Sequence, residues 1–143
     1  THCISSAASD VYKRQEEEYI VMKSHTLIGA SMLARLDHYR DEELARTAYQ
    51  ICRWHHERYD GGGYPDGLKG EKIPIAAQVV SIADAYDALI SPRVYKEGFS
   101  HEQAMQMIRN GECGAFNPLL IECLEDSQSR IRYLASMTAE RFS

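Results

Sequence analysis

The sequence has no long hydrophobic run, no excess of positive charge and no paired-cysteine motif, and each absence excludes a class of protein. No apolar run is long enough to span a bilayer and no signal peptide is visible, so we expect a cytoplasmic protein without a membrane segment. The net charge of -5, with no lysine or arginine cluster, argues against binding to duplex nucleic acid. An anionic substrate would therefore need local positive charge or a metal.

The four cysteines have no Cys-x-x-Cys spacing and stand in no small secreted framework, which predicts free thiols in a reducing compartment. The length of 143 residues allows one domain with a modest core. Residues 1–15 are polar and without hydrophobic period. We exclude them from the fold as a disordered tail or as a non-native scar of cloning or sequence assembly.

Hydrophobic spacing in the remaining chain, residues 16–143, predicts an all-α fold with no strand and no internal repeat. The first helix opens at Glu16, and Thr26 and Gly29 predict a join or kink within it. A long central helix should run to about Ile90. Four further helix starts are marked by a capping residue or a proline, at Asp41, Pro74, Ser100 and Asn117.

Two adjacent histidines, His55 and His56, end an apolar helical stripe, and acids and three glycines follow them. This combination predicts a metal site at a helix end beside a flexible loop. On a continuous helix His56 is rotated by about 100° from His55. Both histidines would then bind separate metals, or one would bind while the other orients it.

Asp84 lies between Ala83 and Ala85 on a helix that is apolar around much of its circumference. We therefore expect a buried carboxylate, which costs several kcal/mol unless it is paired or bound to metal. Asp84 is the best candidate for a further metal ligand. The alternative is a structural salt bridge, for example to Arg93.

The block His55–Pro65 reads His-His-Glu-Arg-Tyr-Asp-Gly-Gly-Gly-Tyr-Pro and resembles the signature of the HD-GYP domain, a bacterial family that hydrolyses cyclic di-GMP. The resemblance covers roughly Glu16 to Glu125. One further family motif lies before this block, around His25. Others lie after it, following Gly67, from Asp84 to Leu89, from Arg93 to Lys96 and at Phe116–Pro118. The resemblance implies an HD-domain-like helical bundle, here partial, with a glycine-rich Gly-Tyr-Pro loop. It also implies two or three divalent metal ions, iron or manganese.

The resemblance also implies roles for individual residues. The matching metal ligands are His25, His55, His56 and Asp84, and the last three are also the catalytic candidates. Arg93 and Lys96 match residues that hold the phosphates, Arg93 as a fork and Lys96 as a point charge. Tyr64 lies in the loop beside the substrate, with Gly61, Gly63 and Pro65. Glu57 and Asp60 are interpreted as acids that orient the histidines or, with equal weight, as helix-end and turn residues.

The sequence also departs from the family pattern. No His-Asp dyad, with the lysine that follows it in the family, precedes His25. We therefore expect a partial domain that lacks the upstream His-Asp helices and is weak or inactive alone. Asn117 replaces the usual aspartate and Val94 the usual proline, changes expected to affect a turn or stability more than catalysis.

The predicted function is metal-dependent hydrolysis of cyclic di-GMP to the linear dinucleotide or GMP. We expect an N-terminal regulatory domain in the intact protein, such as the receiver of a two-component response regulator, and we consider a homodimer. Three alternatives stay open. They are a non-catalytic module that binds cyclic di-GMP or a protein, an HD-superfamily phosphohydrolase of another nucleotide, and a purely structural helical domain.

Overall fold

The computed structural model describes residues 16–39, 41–92 and 97–141 of the chain. Within these ranges there is no strand, and six α-helices form, which confirms the all-α prediction. Two 3₁₀ helices, Asp37–Tyr39 and Gly70–Lys72, lie between them. The α-helices are α1 (Glu16–Ala34), α2 (Glu43–Trp54), α3 (Ile75–Ile90), α4 (His101–Arg109), α5 (Pro118–Asp126) and α6 (Gln128–Arg141).

Helix α1 is continuous, so the predicted join between Thr26 and Gly29 is wrong. The Thr26 hydroxyl donates to the Lys23 carbonyl at 3.0 Å, which satisfies the buried side chain inside the helix. Gly29 faces α2, since a Cβ at this position would lie in ordinary van der Waals contact, 3.5 Å from the Cys52 Cβ. Packing of α1 on α2 therefore keeps the helix intact where its sequence is locally weak.

Two of the predicted helix starts are confirmed by their hydrogen bonds. Ser100 and Gln103 form the expected capping box, and the Asn117 side chain accepts from the Leu119 amide ahead of Pro118. The expected cap at Asp41 is wrong, because α2 begins after Glu42 and no side chain caps it. Pro74 is the N-cap residue of α3, which ends at Ile90 as predicted.

The hydrophobic core lies between α3 and α4, with α5 and α6 closing one side. Leu89 and Ile108 are at its centre and are almost completely buried. The buried face of α3 includes Gln78 and Ala85, while Ile75 and Val79 are about half exposed. Because α3 is apolar around much of its circumference, its sequence alone does not decide which face is buried.

The expectation of free thiols holds for Cys52 and Cys123. It is wrong for Cys113, which is buried and disulfide-bonded. Sequence spacing could not reveal this bond, because a disulfide depends on the approach of two chain segments in space.

Among the described helices, none is both long enough and apolar enough to cross a membrane.

Candidate metal centre

Three of the predicted ligands come together at one place. His25 lies on α1, and His55 and His56 follow directly after the last residue of α2. One nitrogen from each ring can be chosen so that all three atoms lie within 4.8 Å of one another. Because α1 packs on α2, residues 30 positions apart in the sequence meet at the α2 C-terminus.

The end of α2 decides how the histidine pair is presented. The helix ends at Trp54, and His55 is its C-cap residue. The rings of His55 and His56 then lie side by side, with centroids 4.1 Å apart. The expected divergence of about 100° on a continuous helix is therefore wrong, and both rings approach His25.

The hydrogen bonds of His25 and His55 fix which ring nitrogen faces the cluster. Nδ1 of His25 is bonded to the Met22 carbonyl, and Nδ1 of His55 is bonded to the Ile51 carbonyl at 2.8 Å. A carbonyl oxygen can only accept, so each Nδ1 carries the proton. In the neutral rings each Nε2 therefore holds a lone pair.

These two Nε2 atoms are 3.3 Å apart. Two lone pairs cannot hydrogen-bond to each other, so the pair requires a shared proton or a cation. Two nitrogens each about 2.1 Å from one metal are roughly 3.0–3.4 Å apart at bond angles of 90° to 109°. A ring N–H donated to a backbone carbonyl is also the usual second contact of a histidine ligand. The residues present therefore fit a divalent metal.

The electrostatics of His56 also suit a ligand. Burial, with smaller contributions from His55 and His25, lowers the pKa of His56 to about 3. At neutral pH the ring is therefore uncharged and keeps a lone pair for a metal.

Asp84 is placed differently from the prediction. The expected burial is wrong, because the Asp84 side chain is exposed. Asp84 is not part of the three-histidine group found among the described residues. Its assignment as a metal ligand stays a prediction. Arg93, Val94 and Lys96 lie outside the described residues.

The loop after the histidines is held by Glu57. This carboxylate is 3% exposed and accepts from the backbone amides of Asp66, Gly67 and Leu68, at 2.7, 3.1 and 2.9 Å. Asp60 accepts from the Gly62 amide at 2.8 Å. Of the two interpretations of these acids, the hydrogen bonds described for them match the turn-forming one.

Asp66 ties the same loop back to α2. Its carboxylate accepts two bonds from Arg53, at 2.8 and 2.9 Å, and one from the Trp54 indole at 2.7 Å. The bonds from Arg53 and then from Trp54 lower the pKa of Asp66. The loop therefore stays fixed to the helix that carries the histidines.

Tyr64 is brought to the histidines by this loop. Its ring stacks on His56 with centroids 4.9 Å apart and an interplanar angle of 27°, and its amide donates to the His56 carbonyl. The Lys23 ammonium lies 5.1 Å from the Tyr64 ring centroid. One side of the histidine cluster is thus covered by an aromatic ring and a cation.

A sequence model described as HD domain matches residues 6–117 of the chain. The chain belongs to the HD domain family. The expected family is confirmed, because relatives with matching sequence are named cyclic di-GMP phosphodiesterases.

The HD domain relatives are longer proteins. The "Cyclic di-GMP phosphodiesterase" of Vibrio cholerae is 44% identical over 77% of this chain and 23% of its own length. The "Cyclic di-GMP phosphodiesterase response regulator RpfG" of Xanthomonas campestris is 36% identical over 85% of this chain and 31% of its own length. A "3'3'-cGAMP-specific phosphodiesterase 2" of Vibrio cholerae is 35% identical over 78% of this chain and 21% of its own length. The chain thus spans about a quarter of the curated relatives it matches.

Sequence reasoning missed two features of this HD domain. From the sequence, neither Asp66 nor Lys23 was assigned a role in the site. No periodic pattern marks either residue, since each acts through a partner distant in sequence or on another element. Divalent metal binding is what the family implies, and the histidine cluster agrees with it.

Proposed function

We propose that this chain forms part of a metal-dependent phosphodiesterase that hydrolyses cyclic di-GMP to the linear dinucleotide or GMP. The observation that supports it best is the pair of Nε2 atoms of His25 and His55, which lie 3.3 Å apart while each Nδ1–H donates to a backbone carbonyl. The names of the relatives support the substrate.

His25, His55 and His56 would hold the metal, and Asp84 is proposed as a further ligand. Imidazole and carboxylate donors suit iron or manganese, with two or three ions in the intact site. A divalent metal bound here would supply Lewis-acid chemistry, polarising a phosphoryl group and activating water. Asp84 therefore joins His55 and His56 as the proposed catalytic residues.

The remaining residues would bind the substrate. Tyr64 is held beside His56 by its loop, which would place an aromatic face next to the reacting phosphate. Arg93 and Lys96 are proposed to hold phosphate oxygens, Arg93 as a bidentate fork. The loop anchored by Glu57 and Asp66 would keep this arrangement in place without reorganisation.

The deciding experiment measures metal content after anaerobic purification with iron or manganese. We expect near-stoichiometric metal in the chain and its loss in His55→Ala, while His38→Ala, an exposed histidine outside the cluster, keeps it. Product analysis with cyclic di-GMP should then show turnover that requires the metal. Equal metal content in His55→Ala and the unchanged chain would contradict the metal site.

We expect slow turnover by this chain alone. Among its described residues, the metal group contains three imidazoles and no carboxylate. A two-metal reaction needs more donors than that. Dinucleotide binding without any hydrolysis, with metal bound, would favour the non-catalytic binding module instead.

A second candidate substrate is 3'3'-cGAMP. The supporting observation is the 35% identity with a phosphodiesterase named for that dinucleotide. The two compounds differ in one base, so the phosphate chemistry would be the same. Parallel rates with cyclic di-GMP and 3'3'-cGAMP would decide between them.

The regulatory domain, the homodimer and the cytoplasmic location are proposals for the whole protein. The response-regulator relative supports a link to two-component signalling. Exposed apolar side chains on α1, among them Val21 at 71% and Met32 at 66%, support contact with another surface. Light scattering of the purified chain would give its mass in solution.

A further inference from the structure

A cation is held at the edge of the histidine cluster by an aromatic stack. Lys23 extends from α1 until its ammonium lies 5.1 Å from the Tyr64 ring centroid. The Tyr64 ring in turn stacks on His56 with centroids 4.9 Å apart. The Tyr64 ring therefore contacts both the ammonium and the imidazole.

Two elements fix this stack independently. The Tyr64 amide donates to the His56 carbonyl at 3.2 Å, which ties the ring to the histidine backbone. On the other side, α1 carries both Lys23 and His25, and the His25 ring is 5.0 Å from the His56 ring. Lys23 therefore keeps a defined place relative to the cluster, supported by its contact with the ring.

Two other cations, Arg53 and Arg58, have contacts of their own in this part of the chain. Arg53 forms the fork with Asp66. The Arg58 guanidinium lies against the Cα of Gly114, where it occupies the space that a side chain would need. Within the described ranges, Lys23 is the cation placed over the ring that covers His56. The chain carries a net charge of -5, so local positive charge matters for binding an anion.

We propose that Lys23 is a substrate-binding residue that contacts the second phosphodiester group of a cyclic dinucleotide, while the first lies at the histidine cluster. The proposal rests on the proposed function. A cyclic dinucleotide carries two phosphodiesters in one ring, so a ligand held by one phosphate presents the other at a nearby position. The lysine ammonium donates to phosphate oxygens as a point charge, and Tyr64 preorganises it.

The test uses the manganese-loaded chain and calorimetric titration with cyclic di-GMP. Lys23→Gln should weaken binding about five- to tenfold, as expected for one partly solvated charge–phosphate contact. Lys23→Arg should stay close to the unchanged chain, because it keeps the charge. Lys72→Gln, which removes an exposed lysine and changes the net charge equally, should have no effect.

The salt dependence separates a direct contact from a general charge effect. Binding by Lys23→Gln should weaken less with added salt than binding by the unchanged chain. Metal content and melting temperature should be the same in all variants. Equal affinity of Lys23→Gln and the unchanged chain would overturn the assignment of Lys23 and leave the proposed function standing.

Failure of the unchanged, metal-loaded chain to bind cyclic di-GMP would overturn the proposed function instead. Titration with inorganic phosphate then tests whether Lys23 forms part of an anion-binding site. Weaker phosphate binding by Lys23→Gln than by Lys72→Gln supports an anion site at Lys23. Equal phosphate binding by the two variants overturns it.

Discussion

Gly63 stands where any side chain would overlap with the backbone of the preceding loop. A Cβ at this position would lie 2.5 Å from the Glu57 Cα and would also meet the Arg58 amide nitrogen. Both neighbours are backbone atoms, so neither can rotate away as a flexible side chain can. Gly63 therefore allows the loop to fold back onto the histidine turn.

We expect Gly63→Ala to lower the free energy of unfolding by about 2–3 kcal/mol, as overpacking does, and to reduce metal content. Thermal unfolding and metal analysis measure both. Gly62→Ala is the matched control, since a Cβ there meets only the Asp60 side chain, with its nearest atom at 3.2 Å. Similar losses in the two variants would show that general loop flexibility, rather than the close approach, is responsible.

The depressed pKa of His56 makes the metal-free protein sensitive to acid. The folded pKa is about 3 and an unfolded histidine titrates near 6.5, so between these values the unfolded chain binds the extra proton. The contribution of the neutral His56 to stability is complete above pH 6.5 and is lost as pH falls toward 3. We expect a loss of about 1 kcal/mol between pH 7 and pH 5, after allowing for partial solvent screening.

Urea unfolding with a chelator present, repeated from pH 7.5 to pH 5, measures this loss. His56→Gln should flatten the pH dependence, because the group that titrates is gone. His38→Gln, at an exposed histidine, should leave it as it is. If the free energy of unfolding changed equally with pH in the two variants, the effect of burial on the pKa of His56 would be contradicted.

At the scale of elements, the loop from Glu57 to Leu68 depends on one buried carboxylate. Glu57 accepts three backbone amides, and bonds to a charged acceptor are stronger than those between neutral groups. Glutamine offers a single acceptor oxygen and turns an N–H₂ group toward amides that need acceptors. The loop would then lose the contact that closes it.

We expect Glu57→Gln to cost about 3 kcal/mol of stability and to speed hydrogen exchange at the amides of Asp66, Gly67 and Leu68. Exchange followed by NMR resolves these three amides individually. Glu71→Gln removes an exposed acid just after the loop and should leave exchange unchanged. Slow exchange in Glu57→Gln would mean that the Asp66 contacts with α2 hold the loop without it.

At the scale of the whole molecule, a metal at the histidine cluster would join α1 to the end of α2. A metal that binds only the folded state, at a free concentration of one hundred times its dissociation constant, raises the free energy of unfolding by about 2.7 kcal/mol. For a domain of this size each kcal/mol raises the melting temperature by roughly 2–4 °C. We therefore expect a rise of roughly 5–10 °C on adding manganese.

Differential scanning calorimetry with and without manganese measures this rise. It should vanish in His25→Ala, which removes the contribution of α1, and persist in His101→Ala. His101 lies at the start of α4 and is bonded to the Tyr86 hydroxyl, away from the cluster. A rise of the same size in both variants would place the stabilising metal at another site.

Local sequence signals determined much of this protein. Helix periodicity and capping patterns predicted the all-α class and several helix starts, because a helical face and its caps involve residues only a few positions apart. The Ser100 capping box and the start at Asn117 could be predicted for that reason. The histidine pair and the glycine loop were recognisable as a metal-binding pattern because their residues are contiguous.

Only the tertiary structure decided how these parts meet. Packing of α1 on α2 placed His25 against His55, and the end of α2 at Trp54 turned His56 toward the same point. Asp84 was expected to be buried and is exposed, because burial depends on which elements cover a helix face. Contacts between distant segments are set by the fold as a whole, and no local pattern in the sequence records them.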